Sequence, residues 1–521
     1  MSSAKSYKLS KINVRIGDQK VDIRELVSEF NWFESIDSAF IRCDFAILDT
    51  VQFDDNLLGS ELIDITFEST IENKSRIQHV LQIYKIGSIV KQERAKMYIL
   101  HCASPEIYEN EANRAFGQFG PVSGKTDIVK SMVKGKQHMN SPKKTHIESH
   151  TNINVLSPNW RPVDLISYMS DKVSRTKAGS RQSGKGKKQS GFLFWENRDG
   201  WNFKSMDGLC EQDSIAKYTY AQANVGQNNP GTNFYQIESV IYPERANQLD
   251  KLRQGAYKQC TYGIVMAQLT DSYMPNAGAS SSTTFDEWVK LNVPYTANDG
   301  SAGSLSNEQL LGLYNASKDL DITFTNAGND TSFTWKPKSL GSKDNLTERQ
   351  LANKDKTGKP SGTISGPMVS NLKQTFSKAS KLHDGLPYRE EHLDLYTSLY
   401  PTRTKFKILP GFNNQTANAP KGGADDADES VLTAATYSAA RWALLNTHSL
   451  TIKVPGNTKL KAGDVITVNL PSSKQESKSN VARDQTYSGK YLVKGLRHTY
   501  KKQGITTELY LCRGSLPVTK N

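Results

Sequence analysis

The sequence has no run of about 18 consecutive apolar residues, so we expect no membrane-spanning helix. Its first residues, Met1 to Lys8, lack the apolar core of a secretory signal peptide. The five cysteines are scattered and odd in number, which argues against a disulfide framework and favours folding in a reducing cytoplasm. Cys43, Cys102 and Cys512 lie inside strand-like patterns, where a thiol serves as a small core residue.

The short motifs of common catalytic and metal sites are also missing. The sequence contains no His-Glu-x-x-His, no Cys-x-x-Cys and no Gly-x-Ser-x-Gly. His383 and His392 do not have the spacing of metal ligands, and the acidic run from Asp425 to Glu429 lacks the alternating ligand positions of a calcium loop. We therefore predict no catalytic residues, no metal site and no cofactor.

One glycine-rich segment comes close to a phosphate-binding loop. It runs Gly179-Ser-Arg-Gln-Ser-Gly-Lys-Gly186. Gly186 stands where such a loop has the Ser or Thr that holds magnesium, and an amphipathic helical pattern precedes the segment where a strand is required. The basic stretch from Arg175 to Lys188 is better interpreted as a solvated connector, with docking of an acidic partner as an open alternative.

A group of carboxylates could serve a glycosidase, which uses a pair of them. Glu390 and Glu391 are adjacent, and Asp394 follows. Neighbouring residues rarely point at one reacting bond, so a solvated charge run is the favoured interpretation.

The formal charge is +13, which suits an acidic partner, nucleic acid or a membrane surface. The charge is spread along the chain, and no stretch alternates lysines with base-stacking aromatics, so we do not expect specific nucleic-acid binding. A chain of 521 residues has room for about three or four domains.

The C-terminal stretch from Ser449 to Ser515 carries the clearest structural signal. Four runs there alternate apolar and polar residues and are rich in β-branched and aromatic types, namely 449–455, 463–470, 489–496 and 507–512. Gly, Pro, Asn and Ser bound the runs. This pattern predicts short antiparallel strands with one buried face, in a small sandwich or barrel.

Three of these runs have counterparts in the same order near the N-terminus. Residues 59–67, 80–87 and 97–102 parallel 463–470, 490–496 and 508–512, with Cys102 aligned to Cys512. A repeat that preserves order predicts two copies of one small β-barrel, one at each end of the chain. The alternative is that shared turn chemistry alone generates both patterns.

We therefore predict a mainly β protein of the α+β class, with two similar small antiparallel β-barrels. The first barrel is expected over 5–104, and 231–275 are candidates to complete it. Its strongest strand is Phe40–Leu48, in which alternate residues are predicted to face the core: Ile41, Cys43, Phe45 and Ile47.

The remaining segments are assigned as follows. An α/β domain is inserted at 105–230, with helices over 126–133 and 162–173 and a hairpin over 191–203. Residues 276–385 form a loop-rich insert of unknown type, and 386–429 form a connector. Residues 430–516 contain a helix over 430–445, with acidic residues before its positive end, and then the second barrel.

Several of these segments resemble the central baseplate hub proteins of contractile-tailed bacteriophages. The T-even-type hub joins tail tube and spike, and related hubs occur in Mu-like and P2-like phages and in the type VI secretion spike. The order of the motifs carries the resemblance, which covers about two thirds of the chain but not 276–385. The matching segments are the helix Thr433–Leu445 with Arg441, residues 460–468, 488–498 and 507–513, Trp160-Arg-Pro162, and 191–200.

The resemblance implies a structural virion protein and not an enzyme. Its barrels would be similar to those of the tail tube, and three chains with two barrels each would close into a ring of six. Such a homotrimer would adapt a sixfold tail tube to a threefold spike. The implied partners are the tail tube protein, the spike protein and other baseplate proteins, in a virion tail assembled in the host cytoplasm. The alternatives are a tail-associated cell-wall hydrolase that uses Glu390 or Glu391, and a basic nucleic-acid-binding protein.

Overall fold

The computed structural model describes residues 6–70, 76–91, 95–121, 124, 127–176, 190–220, 234–243 and 434–514, the last without 436, 440, 447, 476–480 and 485. It also describes, mainly through their backbone, 248–254, 258–265, 320–327, 330–337, 368–373 and 403–409. None of the helices described there is long and apolar enough to cross a membrane.

The described part of the chain is mainly β, and most strand pairs are antiparallel. The strands are β1 (Tyr7–Ile16), β2 (Gln19–Asp22), β3 (Val27–Ser35), β4 (Arg42–Asp49), β5 (Leu62–Ser69), β6 (Ile77–Lys91), β7 (Lys96–Ala103), β8 (Ala115–Phe119), β9 (Thr145–Ile147), β10 (Val155–Trp160), β11 (Phe192–Asn197), β12 (Gly200–Ser205), β13 (Ala216–Thr219), β14 (Ser239–Ile241), β15 (Lys258–Val265), β16 (Leu320–Ala327), β17 (Asp330–Pro337), β18 (Met368–Lys373), β19 (Arg403–Leu409), β20 (His448–Pro455), β21 (Val465–Asn469), β22 (Pro471–Gln475), β23 (Val481–Arg483), β24 (Gly489–Lys501) and β25 (Gly504–Arg513). The helices are a 3-10 turn (Phe53–Asn56), α1 (Glu106–Ala112), α2 (Ile128–Lys134), α3 (Pro162–Ser170), α4 (Met206–Cys210), α5 (Gln248–Gln254) and the helical segments 434–435, 437–439 and 441–445.

The N-terminal half of the main sheet has the strand order β2-β1-β5-β6-β7-β4-β3. β4, the middle of β7 and the first part of β6 bury every second side chain, because successive side chains of a strand point to opposite faces. The predicted core face of β4 is confirmed, since the four predicted residues are all buried: Ile41, Cys43, Phe45 and Ile47. The strand predicted over 97–102 is also present, as β7.

The C-terminal half has the order β14-β20-β25-β24, and β21 pairs with the first part of β24. All four strands predicted over 449–512 are present. β13 lies parallel to β21, and the Thr219 amide at its end donates to the Tyr235 carbonyl. A few residues later the Glu238 amide donates to the Lys453 carbonyl of β20. The segment around 235–241 therefore lies between β13 and β20.

A long strand joins the two halves into one sheet. β24 pairs with β21 over 489–492 and with β3 over 495–501, so strand pairing continues from one half into the other. One hydrophobic core contains residues of both halves. Among the described residues neither half is closed into a barrel by strand ladders, and the strands of the two halves form one continuous sheet.

The same four-strand order nevertheless occurs in each half. β5-β6-β7-β4 in the first corresponds to β21-β24-β25-β20 in the second. Both long strands carry a register shift at the same place, between Ile83 and Lys85 in β6 and between Val493 and Gly495 in β24. Aligning these shifts matches buried core residues in pairs: Ile63 with Ile466, Ile65 with Val468, Leu81 with Tyr491, Ile83 with Val493, Phe45 with Ile452 and Leu100 with Leu509.

An α/β unit lies between the halves in sequence. The predicted helices are present as α2 and α3, and the predicted hairpin is β11–β12. The apolar stripe predicted on the second helix is buried in a core of its own, with Leu165, Ile166, Met169 and Val173 all inaccessible to solvent. The helix predicted over 430–445 agrees with the helical segments 434–435, 437–439 and 441–445.

Of the segment 231–275, predicted as a candidate to complete the first barrel, the structure describes β14 and β15 among others. β14 pairs with β20 of the C-terminal half, and β15 pairs with β18 and β19. Val240 packs against the shared core. Most of the predicted insert (276–385) and connector (386–429) lies outside the described residues, except for β16, β17, β18 and β19.

Candidate functional site

The residues that the sequence raised as candidates are not among those described. This applies to the carboxylates Glu390, Glu391 and Asp394, to His383 and His392, to the acidic run 425–429 and to the glycine-rich loop 179–186. Within the described ranges, no group of three His, Cys, Asp or Glu side chains is placed to hold a metal ion. The features described below are therefore ones that sequence reasoning missed.

The most deeply buried charge where the α/β unit meets the N-terminal half is Glu196 on β11, which is fully buried. Its Oε1 lies 2.6 Å from Lys143 Nζ and 3.3 Å from His79 Nε2. Burial acts to raise the pKa of Glu196, but Lys143 and His79 outweigh burial and lower it to about 2. The carboxylate is therefore held ionised, and it fastens β11 to β6.

Ser104 completes a Ser-His-Glu group around this carboxylate. Ser104 Oγ donates to Glu196 Oε2 at 2.5 Å, and His79 Nε2 lies 3.3 Å from the same hydroxyl. In a catalytic triad the serine and the acid occupy opposite ring nitrogens, and the histidine accepts the serine proton. Here both partners meet Nε2 and the hydroxyl proton goes to Glu196, so the arrangement positions the two units and does not activate a nucleophile.

A groove with a volume of about 1410 Å³ opens beside this network. Its walls include the α1 segment and the β11–β12 turn, and it is lined by His79, Glu106, Lys143, Lys144, His146 and Arg198 among others. Lys143 Nζ also lies 2.6 Å from Glu106 Oε2, so this ammonium group is already paired twice within the wall. The groove thus borders an internal ion-pair network of the chain.

A second buried carboxylate lies at the end of β3. Glu34 accepts from Trp32 Nε1 at 3.1 Å and from the Ala462 amide at 3.2 Å. Burial raises its pKa to about 7, and burial also raises the pKa of nearby Asp464 to about 6. Through Ala462, Glu34 connects the N-terminal half to the loop before β21.

The C-terminal helical segments are attached to the α/β unit by a buried ion pair. Arg441 Nε lies 2.9 Å from Asp207 Oδ1, and both side chains are buried. Tyr437 donates to Asp207 Oδ2 at 2.8 Å. Burial acts to lower the pKa of Arg441, but the Asp207 carboxylate outweighs it and raises the pKa. Removing either member would leave the other charge buried without a partner. The ion pair therefore fixes the position of the C-terminal helical segment against the α/β unit.

Exposed apolar side chains collect at two strand edges. On β6, Ile89 is 55% exposed and Val90 is 54% exposed, and Tyr84 and the β7 residue Met97 are also exposed. At β14, Ile241 is 57% exposed, and Tyr242 follows it. Unpaired strand edges with apolar side chains are typical of surfaces that another strand covers.

No protein-family model matches the chain, and no curated protein matches it by sequence. Its structural neighbours include tail proteins, a PdpA–VgrG complex from Francisella and a component of a type VI secretion system. A tail protein from Neisseria meningitidis overlaps 98% of this chain and 97% of its own, with 9% identity and a TM-score of 0.44. The 43 kDa tail protein of prophage MuSo2 from Shewanella oneidensis overlaps 97% and 99%, with 9% identity and a TM-score of 0.43. An Escherichia coli type VI secretion component, described as similar to T4 tail proteins, overlaps 98% and 79%, with 7% identity and a TM-score of 0.35.

Proposed function

We propose that this chain is a structural protein of a phage tail, the central hub of a baseplate. Three copies would form a ring with six similar lobes, which adapts a sixfold tail tube to a threefold spike. Its partners would be the tube protein, the spike protein and other baseplate proteins. It would act without catalysis, in the tail of a virion assembled in the host cytoplasm.

The observation that carries this proposal is the internal repeat. Two four-strand units of one chain have the same order, the same register shift and matching buried positions. Each unit corresponds to one of the two proposed barrels. A chain with two equivalent units produces six equivalent positions in a trimer, which is what a match between threefold and sixfold symmetry requires. The biological setting comes from the sequence resemblance to baseplate hubs.

The attachment of the units to each other by strand pairing and buried contacts agrees with a role in a ring. β24 spans both units, Glu34 links β3 to Ala462, and Glu196 and Asp207 fix the α/β unit through buried ion pairs. Burying a charge is costly unless it is paired, so the contacts of Glu196 and Asp207 disfavour rearrangement of the α/β unit.

The two rival functions receive no support from the described residues. The hydrolase hypothesis depends on Glu390 or Glu391, and it predicts muralytic activity that is lost when either is changed to Gln. The nucleic-acid hypothesis depends on the net charge of +13, and it predicts tight DNA binding that weakens steeply with salt.

The proposal is tested by native mass spectrometry of the purified full chain across a range of concentrations. A mass of three chains, with or without a bound spike protein, is expected. A monomer at every concentration that remains monomeric when the spike protein is added would contradict the ring.

A further inference from the structure

The two halves are joined by the pairing of β24 with β3, which we call the junction. The equivalent edge of β6, in the other repeat, has no strand paired with it among the described residues. In β24, residues 489–492 pair with β21, and after the register shift residues 495–501 pair antiparallel with β3. In β6, residues 77–82 pair with β5 in the same way. In the part of the chain that the structure describes, no strand pairs with this edge of β6 beyond Ile83, whose amide donates to the Glu61 carbonyl.

The partner that β6 lacks can be identified from the repeat. β3 lies next to β4, and the strand that lies next to the equivalent of β4 is β14, which pairs with β20. Both strands also have an irregularity at the same place. β3 shifts register between Val27 and Glu29, and at the matching point of β14 the Glu238 amide donates to Lys453, the residue opposite Ser239. β14 therefore has the position in the second half that β3 has in the first.

The chain cannot bring its own β14 to β6 as it brings β3 to β24. β14 pairs with the far side of the C-terminal half at one end of the main sheet, and six strands lie between it and β6. Among the described residues no strand ladder covers the other edge of β14. One chain thus forms one junction, between β3 and β24. The two strands of a second, equivalent junction, β6 and β14, are both present, but they lie far apart and are not paired with each other.

The repeat also sets the register of that second junction. Asn31 and Ile241 hold equivalent places, since they lie opposite the equivalent residues Asp44 and Thr451. Thr499 and Val90 are likewise equivalent, since they lie opposite Thr506 and Met97. β6 has a second register shift, between Gly87 and Val90, and this alignment of β6 with β24 takes it into account. Because Asn31 pairs with Thr499 within the chain, Ile241 is matched with Val90.

The side chains at the matched positions of β6 and β14 are apolar, whereas those of the internal junction are polar. Within the chain, Thr499 Oγ1 donates to Asn31 Oδ1 at 2.8 Å, so the pair is polar. The open counterparts, Val90 and Ile241, are both apolar and each more than half exposed. Pairing the two edges would bring these two side chains side by side and reduce the apolar surface that they expose to water.

We propose that the outer edge of β6 over 84–91 pairs antiparallel with the outer edge of β14 of a second copy of this chain, with Val90 opposite Ile241 of that copy. The contact is heterologous, because different surfaces meet, so it closes into a ring when the rotation between copies permits. The inference rests on the proposed trimeric ring and names the strands that build it.

The test is a disulfide between copies. The Ile36 amide donates to the Lys494 carbonyl, and alternation from there makes Asn31–Thr499 a non-hydrogen-bonded pair, with Cα atoms about 4.5 Å apart. That spacing lies within the range of a disulfide. The variant Val90→Cys with Ile241→Cys should therefore form a covalent trimer under mild oxidation, which reductant converts to monomer on a denaturing gel.

The matched control is Leu156→Cys with Ile241→Cys. Leu156 on β10 is 54% exposed, as Val90 is, but it lies away from both edges. This control, and each single variant, should give no covalent trimer on the denaturing gel. The described native cysteines Cys43, Cys102, Cys210 and Cys512 are buried, and the single variants also control for Cys260.

A native mass of the same samples separates the two ways in which the proposal can fail. A trimer without a cross-link above that of the control overturns the assignment of the edges and leaves the ring intact. A monomer without a cross-link overturns the assignment and contradicts the ring as well. As a second measurement, Val90→Lys should weaken the trimer by about tenfold or more without changing the melting temperature of the monomer, whereas Leu156→Lys should leave it unchanged.

Discussion

At the scale of single residues, the connections between the structural units depend on buried carboxyl groups. Glu34, Glu196 and Asp207 are each nearly inaccessible to solvent, and each joins segments far apart in the sequence. Two of them are satisfied by a cation. Glu34 instead accepts from neutral donors, which is why burial dominates its pKa.

This difference predicts a pH dependence. Because the pKa of Glu34 is raised from 4.5 to about 7 in the folded chain, its contribution to stability is fully present below 4.5 and is lost as the pH rises through 7. The wild type should therefore lose about 3 kcal/mol relative to Glu34→Gln between pH 4.5 and 8. Unfolding by denaturant at several pH values, followed by tryptophan fluorescence, measures the difference.

Taking the difference removes the effect of other titrating groups. Burial lowers the pKa of His498 from 6.5 to about 3, so its contribution is present above 6.5 and is lost as the pH falls. This trend opposes that of Glu34 below pH 6.5, but both proteins share it. If the difference in unfolding free energy between the wild type and Glu34→Gln stayed constant across this pH range, it would contradict the assignment of a neutral Glu34 in the folded state.

The pair between Arg441 and Asp207 gives a second prediction. Asp207→Asn leaves the Arg441 charge buried without its counterion, and this should cost about 3–5 kcal/mol. The control is Asp199→Asn, because Asp199 is 45% exposed and pairs with Lys461 at the surface. The control should cost less than about 1 kcal/mol. Equal losses in thermal unfolding would show that the buried pair does not attach the helix.

At the scale of elements, each repeat has a glycine shortly before one of its matching strands, β5 or β21. Gly59 precedes β5 with φ +92°, and Gly463 precedes β21 with φ +93°. Their surroundings differ, since a Cβ on Gly59 would meet nothing within 4 Å, whereas a Cβ on Gly463 would lie 2.7 Å from Trp195 Cζ2.

This contrast makes a matched pair of variants. Gly59→Ala should cost about 1–3 kcal/mol from the backbone conformation alone. Gly463→Ala should cost about 1–3 kcal/mol more, because Trp195 is buried and cannot move aside. Thermal unfolding of the two variants measures this difference, and a larger loss for Gly59→Ala would contradict it.

Alternation in the sequence was enough to predict β4 but not β3. In β3 the buried residues Val27 and Phe30 are three apart, because a register shift lies between Val27 and Glu29, and the buried set continues to Glu34, a carboxylate. The alternation of Phe30 and Trp32 was the available signal. The bulge in β3 and the burial of the Glu34 carboxyl group are determined by residues distant in sequence. The sequence pattern of β3 alone therefore did not predict this strand.

The sequence alignment of the repeats was also off by one residue at its end. It matched Cys102 with Cys512, whereas the register shifts match Cys102 with Leu511. Cys102 and Leu511 both belong to the shared core, while Cys512 packs on the other side of its strand with Trp195. Likewise, the group of Lys143, His79 and Glu196 comes together only through the fold, so spacing gave no sign of it.

At the scale of the whole molecule, the proposed ring depends on the equivalence of two units within one chain. One junction is formed internally between β3 and β24, and the outer edges of β6 and β14 are left for a junction between copies. If every chain forms both junctions, identical chains alternate internal and intermolecular contacts around a ring. A threefold assembly then presents six lobes of nearly equal shape.

Electron cryo-microscopy of the purified full chain tests this claim most directly. Class averages viewed along the ring axis should show six similar lobes, and a reconstruction without imposed symmetry should have threefold symmetry. Particles with one chain, or rings whose lobes alternate between two unrelated shapes, would contradict the equivalence of the two halves on which the account rests.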